Sequence, residues 1–167
     1  SPPFTVPAAG ENPRLRFWQW YHFNAAPDEG SVEIRVGNGS WQTLANYSGW
    51  TGNTWTRSTL DLSAYGGQTN VQLAFKLEST YGGFPGWYLD ELRIETGPPL
   101  RIDLVNATED FEGYPGLTFW DGWESSQGVW QMGRPTSGPG AAHSGSNCIA
   151  TVLAGNYANA VVSRLIS

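Results

Sequence analysis

The sequence predicts an all-β protein, an antiparallel β-sandwich of jelly-roll topology. Three observations predict it. Aromatic residues make up 14% of the 167 residues, with 9 Trp, and such side chains suit a pleated, half-buried surface. Gly and Pro number 21 and 11, a rich supply of turn formers. Runs of alternating apolar residues recur with turn signals between them, at the roughly 8–12-residue spacing of a sandwich or barrel. No stretch carries a convincing helical stripe.

Each strand is justified by its own pattern. In residues 14–23, Leu15, Phe17, Gln19, Tyr21 and Phe23 share one face. Arg16, Trp18, Trp20 and His22 share the other. Aromatics on both faces predict burial on one side and a contact surface on the other. Residues 25–30 read as a turn with Pro27-Asp28-Glu29-Gly30 chemistry. Val32, Ile34 and Val36 alternate with Glu33 and Arg35 in a half-buried strand. Gly37-Asn38-Gly39-Ser40 is a hairpin turn that returns into a strand at 41–45. Further strands are expected at 55–62, 71–77 and 86–94, separated by the loops 48–54, 63–69 and 81–85. Gly97-Pro98-Pro99 marks a boundary. Beyond it the pattern loosens. A short connecting strand is expected at 100–105, another at 148–153 and a terminal one at 160–166, while 111–113, 120–123 and 129–132 read as looser stretches.

Composition excludes several partners. Charged residues are 14%, against about 25% for an average soluble domain. The net charge is −6, Lys76 is the sole lysine, and Lys and Arg form no cluster. Nucleic acid, whose binding rests on clustered positive charge, is not an expected partner. No apolar run approaches the ~18 residues of a membrane helix, so membrane insertion is not expected. No signal-peptide pattern is visible, as expected of a mature or excised segment. Cys148 is single and reads as a small core hydrophobe; a nucleophile would want a nearby base.

No catalytic constellation stands out, and an enzyme is not expected. The acidic pairs Asp90-Glu91 and Asp110-Phe111-Glu112 could mimic glycosidase carboxylates, but sequence does not supply their separation. His22 and His143 lie in no metal-binding spacing, and Ser144 is not in a nucleophile elbow. Trp and Tyr faces stack on sugar rings, which makes Trp18, Trp20, Trp50, Trp120 and Trp123 candidate glycan contacts. Trp50, in Gly49-Trp50-Thr51-Gly52, is the one expected to be most exposed. The competing reading is that these rings fill the core and subunit contacts. Asn38, Asn46 and Asn106 each begin an Asn-x-Ser/Thr glycosylation acceptor.

Two groups of residues resemble a known family. Glu109-Asp110-Phe111-Glu112-Gly113, a Trp-rich stretch, and Ala142-His143-Ser144-Gly145-Ser146-Asn147 are similar to the opening of a MAM-like jelly roll. Val71 to Phe75, the Gly82-Gly83 loop and Gly86-Trp87-Tyr88-Leu89-Asp90-Glu91-Leu92-Arg93-Ile94 resemble the end of such a unit. Bacterial secreted and surface proteins carry these units, including the accessory domains of immune-inhibitor-A-type proteases. The resemblance implies an extracellular or cell-surface location. It also implies a permuted order: a closing half at 1–97, a linker at 98–106 and an opening half at 107–167. Leu165-Ile166-Ser167 would run into Ser1-Pro2 as the family's halves do. The jelly roll is then circularly permuted, cut from a tandem array, or completed by a neighbouring copy. The last case predicts head-to-tail self-association into a filament through strand sharing. The leading expectation is thus a structural or adhesive subunit whose partners are copies of itself. The alternative is a carbohydrate-binding or accessory module of a secreted enzyme, with glycans as partners. The family motifs end adjacent in the fold, so Asp90, Asp110 and Glu112, with Asn147, could converge on calcium, the one candidate cofactor. Their competing role is to hydrogen-bond loop backbone.

Overall fold

One nine-residue strand organises the molecule. Along Arg14–His22 every second residue is buried: Leu15, Phe17, Gln19 and Tyr21 point inward, as the alternation predicts. The structure, a computed structural model, describes residues 1–24, 27–52, 55–80, 82–98, 108–112, 123–125, 130–157 and 163–166. In chain order its strands are β1 (Arg14–His22), β2 (Glu29–Val36), β3 (Gln42–Tyr47), β4 (Thr56–Asp61), β5 (Val71–Glu78), β6 (Gly86–Glu95), β7 (Glu124–Ser125), β8 (Gln131–Gly133), β9 (Cys148–Ala150) and β10 (Leu165–Ile166). Two single 3-10 turns, Ala9–Glu11 and Ser63–Tyr65, complete the described elements.

The first six strands form two antiparallel sheets, ordered β4-β1-β6 and β3-β2-β5. They pack face to face as a sandwich, which the ring contacts make concrete. Phe17 of β1 meets Tyr47 of β3 at 6.3 Å and Phe75 of β5 at 5.2 Å, both edge to face. Trp87 of β6 reaches Phe75 and Tyr47, each at 5.6 Å. Val32, Ile34, Val71 and Leu73 line the opposite wall. Each large side chain so buried contributes about 1.5–3 kcal/mol from apolar transfer. The shorter pairs β7–β10 and β8–β9 are also antiparallel.

The expected strands at 14–23, 32–36, 41–45, 55–62, 71–77 and 86–94 all form, with ends shifted by a few residues. The turn expected at 25–30 ends earlier than read. β2 already begins at Glu29, and Gly30 is a buried strand residue. The reason is tertiary: Trp87 lies on Gly30, where a Cβ would stand 2.7 Å from the indole ring. Asp28 is buried too, accepting from the Thr80 amide at 2.6 Å and the Ser79 hydroxyl at 3.1 Å. The strand expected at 148–153 keeps its β pairing only through Ala150. The expected strand at 100–105 lies outside the described residues, as do 160–162 of the terminal strand expected at 160–166, which pairs at Leu165–Ile166.

Strand β6 departs from simple alternation. Asp90 pairs with Trp18 and Arg93 with Arg16, so Glu91 and Leu92 together oppose Phe17. Glu91 takes a φ of 49°, and the Asp90 carboxylate accepts its amide at 2.8 Å. This bulge turns Ile94 inward against the core and leaves Glu91 and Arg93 outside. Uninterrupted alternation from Trp87 and Leu89 would have buried both charges, at far greater cost.

A polar network crosses the core. Gln19 is fully buried. Its Oε1 accepts from Trp87 Nε1 at 3.0 Å, and its Nε2 donates to Ser58 Oγ at 2.7 Å. The Tyr47 hydroxyl joins Ser58 and Gln19. One amide thereby fastens β4, β6 and β3 to β1. Burial pushes the Tyr47 hydroxyl up to about 12, partly opposed by those hydrogen bonds. Burial, and then Tyr47 beside it, pushes Tyr21 up as well.

Two outcomes follow. Gln19→Leu removes the acceptor of Trp87 Nε1 and one of the partners of the Ser58 hydroxyl, and is expected to destabilise by about 1–3 kcal/mol for the orphaned indole N–H. Urea unfolding of a double-mutant cycle with Trp87→Phe should show a coupling of about 1 kcal/mol or more; additive losses would remove the network from the account. The second concerns alkali. An unfolded tyrosine ionises near 10, below the folded value for Tyr47, so stability is complete below about pH 9 and declines between about pH 10 and 12. Tyr47→Phe should lessen that decline in urea midpoints, with Tyr21 supplying the remainder.

Candidate functional site

The outward face of β1 carries Trp18, Trp20 and His22, all half-buried. Strand β6 runs beside it, with Asp90 opposite Trp18 and Tyr88 opposite Trp20. Two loops extend the face past the end of β1. Residues 49–51 pair with it: Phe23 N donates to Gly49 O at 2.8 Å, Thr51 N donates to Tyr21 O at 3.0 Å, and Trp50 bridges His22. The buried Thr51 hydroxyl, 3.1 Å from both the amide and the carbonyl of Tyr21, locks the junction. Trp20 Nε1 donates to Gly52 O at 2.8 Å. Gly52 has a φ of 83°, and a Cβ there would stand 2.8 Å from Gln131 Nε2. That nitrogen donates to Thr51 O at 3.3 Å, while Gln131 Oε1 accepts the Leu153 amide at 2.9 Å. The later part of the chain therefore holds the Trp50 loop against the first sheet.

The rings form a connected row. Trp20 meets Tyr88 edge-on at 5.4 Å and His22 at 6.5 Å. His22 stacks on Trp50 at 4.9 Å and 23°, and also meets Phe84 at 4.9 Å and 61°. Phe84 is 43% and Tyr88 51% exposed. Trp50, expected to be the most exposed ring, is instead half-buried, because it lies against His22 and its indole nitrogen is covered.

The structure thus places Trp18, Trp20 and Trp50 on one face and adds His22, Phe84 and Tyr88. Tyr88 was open to detection as the outward neighbour of Trp87 and Leu89. Phe84 sits in a loop, where no periodicity reports orientation. Trp123 has a different setting. It packs on Phe111 at 5.8 Å, donates Nε1 to Glu109 at 3.1 Å, and its carbonyl accepts from the buried Arg57 at 3.3 Å. Trp120 lies outside the described residues.

The candidate calcium ligands are engaged locally. Asp90 accepts the Glu91 amide and Asp110 the Glu112 amide. Glu112 Oε1 accepts the amides of Ser146 and Asn147, each at 2.7 Å, and Oε2 accepts Asn147 Nδ2 at 3.2 Å. This latch needs Gly145, whose φ is 63° and where a Cβ would overlap the Glu112 carboxylate. Among the described residues, no group of three or more His, Cys, Asp and Glu side chains is placed to hold a metal ion. Asn38 and Asn46 are exposed, and Asn106 lies outside the described residues. His143 is exposed and Cys148 half-buried with a free thiol. No helix among the described residues is long and apolar enough to cross a membrane.

No protein-family model matches the chain. It is similar to a segment of Bacillopeptidase F from Bacillus subtilis strain 168, 36% identical over 93 residues, or 54% of this chain. It is also similar to a segment of the pre-pro-metalloprotease PrtV in two Vibrio cholerae serotype O1 strains, 33% identical over 130 residues, or 71% of this chain. The chain spans 6% of the length of the first and 14% of the second.

The Glu112 latch makes a local prediction. Charge-assisted hydrogen bonds are worth about 1.5–3 kcal/mol, so Gly145→Ala should raise hydrogen exchange at the Ser146 and Asn147 amides about tenfold or more. Amides of β1 and β2 should keep their protection. Unchanged exchange at 146 and 147 would mean that Glu112 does not hold the loop.

Proposed function

We propose that the chain is a non-catalytic, extracellular β-sandwich module, an accessory unit of a secreted enzyme. The observation that carries this reading is the scale of the similarity. The chain resembles a small fraction of two proteases, the proportion that an attached module would occupy. Both relatives are secreted proteases, which supports the extracellular location.

The site supports the same reading. The face around Trp20, His22 and Tyr88 joins rings to rings, an arrangement suited to contact. His143 and Cys148 lie on a separate part of the chain from His22, among segments that carry loop-anchoring hydrogen bonds. Segments 1–97 and 107–167, joined through 98–106, are read as parts of one unit. Arg57 to Trp123 and Gln131 to Thr51 support that reading. The relatives offer no support for a filament built by strand sharing.

The purified chain is expected to release no product from casein, from chromogenic peptides or from nitrophenyl glycosides. Fused to a peptidase, it should leave kcat/KM on a short peptide unchanged within about twofold. Turnover by the chain alone, abolished by a single substitution in it, would overturn the reading. Sedimentation of the same preparation reports whether copies associate.

A further inference from the structure

We propose that the aromatic face of the β4-β1-β6 sheet binds a neutral polysaccharide chain. The proposal rests on the accessory-module reading and names the ligand class of its contact surface. Its first ground is rigidity. Tyr88 and Phe84 present about half of their surface to solvent. Each is braced edge-on by a neighbouring ring, Tyr88 by Trp20 and Phe84 by His22, which itself stacks on Trp50. Rings fixed in this way lose little side-chain entropy when a ligand lies on them.

The second ground is the mixture of groups. A pyranose offers an apolar C–H face and a rim of hydroxyls. The protein face offers ring surfaces flanked by the phenol of Tyr88 and the exposed carboxylate of Asp90. Both can bond to hydroxyls, the phenol as donor or acceptor and the carboxylate as acceptor.

The third ground is charge. The arginines of this face are already engaged within the chain. Arg16 pairs with Glu95 at 2.8 Å, Arg93 with Glu91 at 3.2 Å, and Arg57 donates to the Trp123 carbonyl. With a net charge of −6, an anionic polymer would meet repulsion rather than pairing. A protein partner would need about 20–30 residues a side, which a single row of rings does not supply.

The test is affinity electrophoresis of the whole chain in gels containing xylan, mixed-linkage β-glucan or galactomannan, with polygalacturonate as the anionic comparison. Retardation in at least one neutral polymer is expected, accompanied by a shift in tryptophan emission. Tyr88→Ala and Phe84→Ala should each weaken it tenfold or more, while keeping the circular dichroism and melting of the parent chain. Trp41→Ala, whose ring is covered by Arg35 beside the other sheet, should change it less than twofold. Free migration in every neutral gel, or retardation indifferent to Tyr88→Ala, would overturn the proposal. So would retardation confined to polygalacturonate, or self-association that Tyr88→Ala abolishes, which would assign the face to a second copy. None of these outcomes involves turnover, so this proposal and the accessory-module reading fail separately.

Discussion

Gln19 is the fixed point of the molecule. An uncharged amide buried in an apolar core is costly unless its donors and acceptors are used. Here the carbonyl oxygen takes the Trp87 indole and the amide nitrogen reaches Ser58. Those bonds require β4 and β6 to flank β1 in one register. A slip by one residue would expose Phe17 and Tyr21 and leave the amide unpaired at the same time. Packing and polar satisfaction therefore select the same arrangement. The Tyr47 hydroxyl extends the constraint to the opposite sheet, so the two layers are tied by direction as well as by area.

The outer surface inherits its order from that inner constraint. Trp87 is held inward on Gly30, so its chain neighbour Tyr88 must face out, beside Trp20. The bulge at Glu91 and Leu92 resets the alternation once Trp87 and Leu89 have been placed. It lets Ile94 close the core while Glu91, Arg93 and Glu95 form ion pairs with one another and with Arg16. At the other end of the face, Thr51 pins the Trp50 loop to the backbone of Tyr21. Gln131 then braces the same loop from a residue far along the chain. The aromatic row is thus supported by two distant segments and is no loop-tip accident.

Among the described residues, the second part of the chain carries several side-chain latches. Glu112 gathers the 145–147 turn, Glu109 holds Trp123, and Trp123 receives Arg57. Asp90 and Asp110 likewise accept backbone amides. Closely spaced carboxylates look alike in sequence whatever they bind, and these hydrogen bonds rest on a geometry that spacing does not report.

The sequence by itself determined the fold class, the six principal strands and the two faces of β1. Period-two alternation is a local property, and burial follows it closely from Arg14 to His22. It also marked Trp18 and Trp20 as residues of interest, since aromatics facing away from a core are visible in the pattern, and Trp50 by its place in a Gly-flanked loop. Tertiary structure decided the rest. It turned Gly30 from a turn residue into the seat of Trp87, and placed a bulge where the alternation alone would have buried charge. It also drew the Trp50 loop, Phe84 and Tyr88 into one row with His22. These outcomes depend on contacts between residues tens of positions apart. Such contacts are set by which side chains fill the same space, and no local period encodes that.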